Sequence, residues 1–532
     1  TGTCTKEFFG RRIEQTLLWQ DTQYAVAVLG IRSYEEIIKR GGAEMERTLL
    51  FYLGSHIRKN LKDKEMVCHL KADEFAILID CNQEAAMEKL NHIMITFEAM
   101  MAEKNLIKEV RLFGGIYYLS HRSYGALEIF KIMKSLKNKA KRYSTEENSI
   151  YENRKSAGNA IDKDAGILYR GNLYRLKNFI KRATAGESLT VGFIGGSITM
   201  GCLATEPELC YAYRVYEWWQ EKFPKTEVSY INAGIGATTS QFAAARVEKD
   251  LLDQKPDVVF VEFSVNDDAN EFFMETYESL IRKIYTFDQN TAIIIINCVR
   301  YDDGGSAEVW HAKVARYYEL PQISMQRSIY PEVAAGRISA EEITADYLHP
   351  NDIGHKLVAG VIESFLEEVY TEREQKEAEA EEKAPFTEAS YQHAVRYRND
   401  NCDPVITGGW KKDMEKQNAI TEVFRYGWTA KEPGSSITFE ISGSEIAIQY
   451  KKCVKHPAVV AEAVIDGDES QVIKLDANFE ETWGDCLFLQ TVLRHGKDGK
   501  HEVKIRIPVD CGQVAEPFYL ASVICSSKQG RA

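Results

Sequence analysis

The sequence predicts a multidomain α/β protein: an α/β segment, then a parallel-sheet α/β domain, then a β-sandwich. Three observations predict it. The chain has 532 residues, well above the roughly 250–300 at which a single hydrophobic core stops growing. Strand-like and helix-like apolar runs alternate through its middle, the pattern of a parallel sheet covered on both faces. The last part carries short strands cut by Gly, Asp and Pro turns. Composition excludes other classes. Hydrophobic residues at 44% and charged residues at 27% are ordinary globular values. With 12 prolines and 35 glycines, collagen-like or Pro-rich architecture is ruled out. A balance of 66 basic to 79 acidic residues, net −13, argues against a broad nucleic-acid surface. The longest apolar run, Thr291 to Val299, falls short of the ~18–20 residues of a membrane helix and suits a buried strand. No charged-then-apolar signal segment opens this sequence, so a cytoplasmic protein away from the membrane is expected, while what precedes Thr1 stays open. The 11 cysteines are scattered, with no C-x-x-C pair. They predict unbridged thiols in a reducing compartment, and neither a metal site nor a cofactor.

Two breaks divide the chain. Glu372–Lys383 (EREQKEAEAEEK) is almost wholly charged or Ala and reads as a solvated helix tail or linker. Asn153–Lys163 is small and polar. Domains are therefore expected at 1–155, 166–370 and 386–532. In the first, Tyr24–Ile31 and Phe75–Ile79 are strand-like, while Glu35–Leu61 and Gln83–Met101 carry apolar residues at helical spacing. In the second, strands at Leu189–Ile194, Val228–Asn232, Asp257–Phe263 and Ala292–Asn297 alternate with helices near Tyr211–Lys222, Ser240–Leu252, Glu275–Phe287 and Ile353–Tyr370. In the third, Ser436–Ile441, Glu445–Tyr450, Ala461–Ile465, Val472–Leu475, Glu502–Ile507 and Tyr519–Ile524 are short strands.

Chemistry concentrates in the second domain. Ser197 stands in Gly195-Gly196-Ser197-Ile198-Thr199, directly after an apolar strand. Reactive groups of an open parallel sheet gather beyond the carboxyl ends of its strands. A serine there needs a base, because an unassisted hydroxyl is a weak nucleophile. Asp346-Tyr347-Leu348-His349-Pro350 supplies one: an acid three residues before a histidine can accept from one imidazole nitrogen and leave the other to face a serine. His355 falls within the following helix and reads as structural. Oxyanion donors have two sources. Asn232-Ala233-Gly234-Ile235-Gly236-Ala237-Thr238-Thr239 turns tightly into a helix and exposes backbone N–H groups, and Val265-Asn266-Asp267-Asp268 offers a side-chain amide.

In this order, GGSIT, NAGIGATTS, VND and D-x-x-H resemble the SGNH (GDSL-like) hydrolase superfamily across residues 166–370. The resemblance implies a flavodoxin-like three-layer α/β/α fold and ester hydrolysis without a metal. It implies Ser197 as nucleophile, His349 as general base then acid, and Asp346 as its orienting partner. The backbone N–H of Ser197, an N–H of Gly236 or Ala237, and the Asn266 side chain would form the oxyanion hole. Many members have Gly where Ala237 stands, which leaves open whether residue 236 or 237 is the donor.

Residues 1–155 resemble a degenerate GGDEF (diguanylate cyclase) domain, with Lys71-Ala72-Asp73-Glu74-Phe75 in the place of the signature hairpin. Gly30 and Arg32 match two metal-binding acids of that family, Ile38 its guanine-reading Asn, and Lys62-Asp63-Lys64-Glu65 its inhibitory R-x-x-D. Loss of the acids removes the clamp for phosphoryl charge, so a structural or dimerising remnant is expected. The last segment holds Trp410, Trp428 and Trp483 and resembles the jelly-roll modules appended to some carbohydrate esterases of the superfamily. Each Trp is read first as core, and Lys411-Lys412 and Lys451-Lys452 as solvated strand ends. The expected function is removal of short acyl groups, acetyl first, from an oligo- or polysaccharide, with the third domain helping to bind it. Deleting 386–532 should then cost more on an acetylated oligosaccharide than on p-nitrophenyl acetate. The alternatives are a short-chain lipase or thioesterase of the same superfamily, or a non-catalytic nucleotide-signalling effector. The sugar, the acyl position and any homo-oligomer stay open.

Overall fold

The computed structural model describes residues 3–17, 24–80, 83–104, 110–119, 130, 133, 137, 150–152, 161–379 and 381–528. Most of the expected break at Asn153–Lys163, and Cys81, lie outside them. The chain forms two compact units, Thr1–Asn159 and Ala160–Ala532.

The first unit is built on a sheet of β1 (Tyr24–Ile31), β2 (Met66–Lys71), β3 (Glu74–Asp80), β4 (Leu112–Leu119) and β5 (Ile150–Glu152), ordered β2-β3-β1-β4-β5. The apolar run Tyr24–Ile31 becomes the central strand, antiparallel to β3 and β4. Its alternate residues Ala25, Ala27, Leu29 and Ile31 point to one face. There they meet Leu49, Leu53 and Ile57 of helix Tyr34–Lys59 and Leu90, Ile93 and Phe97 of helix Gln83–Glu103. β2 and β4 lack a clean alternation, which is why the sequence did not single them out.

The second unit opens with a sheet of β6 (Ile167–Tyr169), β7 (Leu189–Gly195), β8 (Val228–Gly234), β9 (Val258–Glu262), β10 (Ala292–Asn297) and β11 (Gln322–Ser324). The order is β6-β11-β10-β9-β7-β8, parallel from β7 to β11 with β6 as an antiparallel edge. Within the parallel part this is the flavodoxin-like 2-1-3-4-5 order. β6 and β11 span three residues each, too short for a period to show in sequence. Helices Ser240–Asp250, Glu271–Phe287 and Glu308–Tyr317 cover one face, packed on Ile194, Val261 and Ile295. On the other, Tyr211 of helix Tyr211–Lys222 meets Phe193 edge-on, and Trp218 of that helix donates to Glu367 of helix Asp352–Thr371 at 2.8 Å. No helix among the described residues is long and apolar enough to cross a membrane, and no disulfide joins their cysteines.

The sandwich pairs two antiparallel sheets. One orders β14 (Lys411–Lys412), β15 (Trp428–Ala430), β22 (Phe518–Ser526), β17 (Glu445–Lys452) and β20 (Cys486–Leu493), with β12 (Val395–Tyr397) also on β22. The other orders β13 (Val405–Thr407), β16 (Ser436–Gly443), β21 (Gly499–Arg506), β18 (Val460–Ile465) and β19 (Ile473–Asp476). Trp410 and Trp428 are core, whereas Trp483 is 60% exposed beside Phe479. Lys451 is not a solvated strand end: its ammonium lies 3.1 Å from Asp485 and 2.9 Å from Glu516.

The charged stretch after helix Asp352–Thr371 is no free linker either. Lys177 reaches Glu377 at 2.9 Å, Asn172 donates to the Ala378 carbonyl at 2.9 Å, and Arg282 donates to the Lys383 carbonyl at 2.8 Å. Buried cationic stems on the sheet domain find partners in an acidic strap, a pairing that periodicity cannot reveal. A second seam joins sandwich to sheet domain, where Ile235 and Phe242 pack with Ala447, Leu487, Tyr519 and Ile524.

Candidate active site

The chain runs from β7 to β8 on one side and returns to β9 on the other, so a crevice opens between the carboxyl ends of β7 and β9. Ser197 follows β7 and starts the short turn Ser197–Met200; it is 8% exposed. Asn266 follows β9. A Cβ on Gly196 would fall 2.2 Å from Asn266 Oδ1, so only glycine lets the two strand ends approach this closely. A Cβ on Gly236 would lie 3.8 Å from that of Ser197, which puts the turn after β8 beside the same serine.

Ser197 Oγ and His349 Nε2 are 2.7 Å apart, and His349 Nδ1 is 2.7 Å from Asp346 Oδ2. The other carboxylate oxygen accepts from the backbone N–H groups of His349 and Leu348 at 2.8 and 3.0 Å. Burial would raise the Asp346 pKa, but the hydrogen bonds from His349 and these amides outweigh it and hold the carboxyl below its ordinary value. An ionised Asp346 fixes the Nδ1–H tautomer and leaves Nε2 as the acceptor facing Ser197. The turn is tight: Tyr347 takes a left-handed φ of 62°, and its carbonyl accepts from Tyr301 N–H at 2.7 Å.

The backbone N–H groups of Ser197, Gly236 and Ala237 and the Asn266 side-chain amide donate to no group among the described residues. Donors left open around one hydroxyl, from buried Ser197 to half-buried Gly236 and Asn266 and exposed Ala237, are a ready place for developing negative charge. Ala237 has a φ of 55°, the conformation that favours glycine. That is the physical reason a glycine suits this position.

His355 is structural, as its place in the helix implied, while the other supports were not legible in the sequence. Asp267 accepts from Ser240 N–H at 2.9 Å and faces His311 Nε2 at 3.2 Å, tying the Asn266 loop to the start of helix Ser240–Asp250; Tyr277 stacks on His311 with ring centroids 3.6 Å apart. His355 accepts from Tyr211 N–H at Nδ1 (3.2 Å) and meets the Cys202 carbonyl with Nε2 at 3.2 Å. Burial pushes its pKa down to about 4, so it stays neutral. Asp352 accepts from Thr205 N–H and Oγ1 at 2.8 Å each. These bonds fasten the segment after Ser197 to the helix after His349. The only sequence signal for them was a polar residue beside a known block.

Three other clusters of polar groups are largely committed to partners. In the first unit Asp73 is buried, accepts from Ile31 N–H at 2.8 Å and pairs with Lys137 at 2.8 Å. Glu65 is buried against Asp80 N–H, Lys62 N–H and the Lys89 ammonium. In the sandwich, Cys453, Asp485 and Glu516 come within 4.8 Å of one another. Lys455 and Lys451 already neutralise the carboxylates and hold Glu516 at about 2, which fits an internal ion cluster better than a cation site.

The model of the GDSL-like lipase/acylhydrolase family matches residues 193–357, and that of the diguanylate cyclase GGDEF domain residues 1–146. A crystal structure of a two-domain esterase active on acetylated mannans is 51% identical, covers 70% of this chain and 100% of its own, and superposes with a TM-score of 0.68. A crystal structure of such a two-domain esterase co-crystallized with mannopentaose is 50% identical over the same shares, with a TM-score of 0.67. An acetylxylan esterase of Geobacillus stearothermophilus is 24% identical over 213 residues, 35% of this chain and 94% of its own. The chain belongs to the GDSL-like lipase/acylhydrolase family; it is a carboxylic ester hydrolase with a GGDEF domain in front and a β-sandwich behind.

Proposed function

We propose that this esterase removes acetyl groups from a mannan-type oligo- or polysaccharide through an acyl-enzyme on Ser197. Ser197 Oγ attacks the acetyl carbonyl carbon while its proton passes to His349 Nε2. Asp346 stabilises the imidazolium without taking the proton itself. The oxyanion forms against the N–H groups of Ser197 and the Gly236–Ala237 turn and the Asn266 amide. Collapse of the tetrahedral intermediate breaks the ester bond, and His349 returns the proton to the departing sugar hydroxyl. Water, activated by the same imidazole, then attacks the acetyl-serine, releases acetate and restores Ser197.

The observation that carries this reading is the unbroken chain Ser197 Oγ–His349–Asp346, with both links at 2.7 Å, bordered by open donors. The mannan class rests on kinship with the mannan esterases, which span the hydrolase and the sandwich together. For the sandwich we propose two roles: a wall for the glycan, and support of the oxyanion turn through Ile235. For the first unit we propose no cyclase activity, since Gly30 and Arg32 stand where metal-binding acids are needed and Lys137 neutralises Asp73. Acetate release from acetylated manno-oligosaccharides, xylo-oligosaccharides and p-nitrophenyl octanoate tests the substrate class. Faster turnover of the octanoyl ester than of any acetylated glycan would favour the lipase reading. Detectable c-di-GMP from GTP with Mg²⁺ or Mn²⁺ would overturn the assignment of the first unit.

A further inference from the structure

A groove of about 230 Å³ runs along the seam between helix Ser240–Asp250 and strand β12, away from the catalytic residues in its lining. Its cations are Arg246, Lys249, Lys283, Arg396 and Arg398, and its carboxylates Glu248, Asp250 and Asp253. Most of these charges are paired. Arg246 lies 3.0 Å from Asp250 and donates to the Gly195 carbonyl at 3.3 Å. Lys283 lies 3.5 Å from Glu248, and Arg398 lies 2.9 Å from Asp400 outside the groove. Lys249 and Asp253, both exposed, cancel in net charge without an ion pair between them. One positive charge is left over, and it belongs to Arg396.

Arg396 donates from Nε to Ser522 Oγ at 3.2 Å and lies 4.9 Å over the Phe242 ring. Its Nη2 is buried with no partner, and no carboxylate comes within ion-pair distance of it among the described residues. Arg246 sits 5.4 Å from the same ring, so two guanidinium groups share one aromatic side chain, and Asp250 pairs with Arg246. Burial, reinforced by Arg398 and Arg246, disfavours the charged form of Arg396. Arg396 as a whole is half-buried, and Asp250 and Asp400 are the acids that favour its charged form. Its guanidinium makes no ion pair among the described residues and borders an open groove, which leaves room for an anion from outside. The guanidinium fork is built to hold two oxygens at once.

We propose that this groove is a binding site for a small oxyanion, a carboxylate or a phosphate, gripped by Arg396 with Lys249 at its mouth. Titration calorimetry of the full chain tests it, with sodium phosphate and then sodium acetate injected against sodium chloride of equal ionic strength. One of the two anions should bind with a heat absent from the chloride control, and the tighter one identifies the chemistry. Arg396→Gln should weaken that binding at least tenfold, and Lys249→Gln, on the exposed rim, about threefold. Acetate is also the product of the proposed reaction, and loss of its binding in these variants separates the groove from the active site. No heat above chloride for either anion, or an affinity unchanged in both variants, overturns the proposal. Should circular dichroism show Arg396→Gln unfolded, Lys249→Gln alone decides.

Discussion

The two α/β sheets of this chain treat the polar groups at their strand ends in opposite ways. At the ends of β7 and β9, Ser197 and Asn266 sit among donors that no described group uses, and Asp346 is paired with His349. At the end of β1, Asp73 is taken by Ile31 N–H and Lys137, and Glu65 by Lys89 and two amides. An active site keeps polar groups that folding alone would have satisfied, and supports them from behind. The sheet of the first unit spends the same residue types on its own cohesion. The supports make the contrast sharper, since Asp267, His311, His355 and Asp352 each fasten a loop of the catalytic crevice.

The largest effect should come from Ser197→Ala. Hydrolysis of p-nitrophenyl acetate should fall ~10⁴-fold or more, with Tm nearly unchanged, because the hydroxyl packs little but carries the chemistry. Near-wild-type turnover would remove Ser197 from the mechanism. Asn266→Ala should lower kcat by ~10²–10³ with a smaller change in KM, the mark of a donor used only in the transition state. A pure KM effect would make it a substrate-binding residue instead. On the other side of the comparison, Lys137→Met should destabilise the first unit by roughly 2–3 kcal/mol, because Asp73 and Glu74 lose their buried partner. Its denaturation curve should shift with no cyclase product appearing, and an unshifted curve would mean that the pair contributes nothing.

A fourth prediction uses Glu262, fully buried at the end of β9, whose carboxyl burial pushes up to about 7 although Ser264 hydrogen-bonds to it. Its folded pKa lies above the unfolded one. Stability from this group is therefore complete below the usual carboxylate range and is lost as pH rises toward 7. Glu262→Gln should be more stable than wild type at pH 8, by at most about 3 kcal/mol, and the advantage should vanish near pH 4.5. Tm measured across that range checks it, and a gain that grows toward low pH would contradict the sign. The smallest effect belongs to Ala237→Gly. Relief of the left-handed backbone and the added freedom of the unfolded chain nearly cancel, so activity should hold within twofold. A tenfold loss would show that the Ala237 methyl group matters.

The deletion test anticipated from sequence changes meaning. Ile235, next to Gly236, packs on Ala447, Leu487 and Tyr519 of the sandwich, so removing 386–532 uncovers the oxyanion turn itself. Both glycan and p-nitrophenyl acetate turnover should then fail together. A surface change keeps the question of glycan binding open to test: Trp483→Ala, exposed beside Phe479, should raise KM about threefold on an acetylated oligosaccharide and leave kcat in place.

Much of this was legible because it is local. Apolar runs bounded by turn residues are strands wherever they occur, so β1, β7, β8, β9 and β10 could be read from pattern alone. The polar motifs follow their strands within a few residues, so their place at the carboxyl ends came with them. β11 and β6 are too short to have a period, and β20, much of whose length is half-exposed, alternates too weakly to stand out. The acidic stretch after residue 371 looked free because its partners, Lys177, Asn172 and Arg282, lie more than 100 residues away.

By itself, then, the sequence determined the fold class, the order of the elements and the candidate side chains that the structure brings together, since each depends on residues close together in the chain. Tertiary structure alone decided the rest. It brought Ser197 and His349, 152 residues apart, to 2.7 Å, left donors open around them, seated the sandwich against Ile235 beside the Gly236–Ala237 turn, and left Arg396 without an ion pair among the described residues. Those outcomes depend on what meets across the sheet, and a burial or a missing partner has no signature in the residue that experiences it.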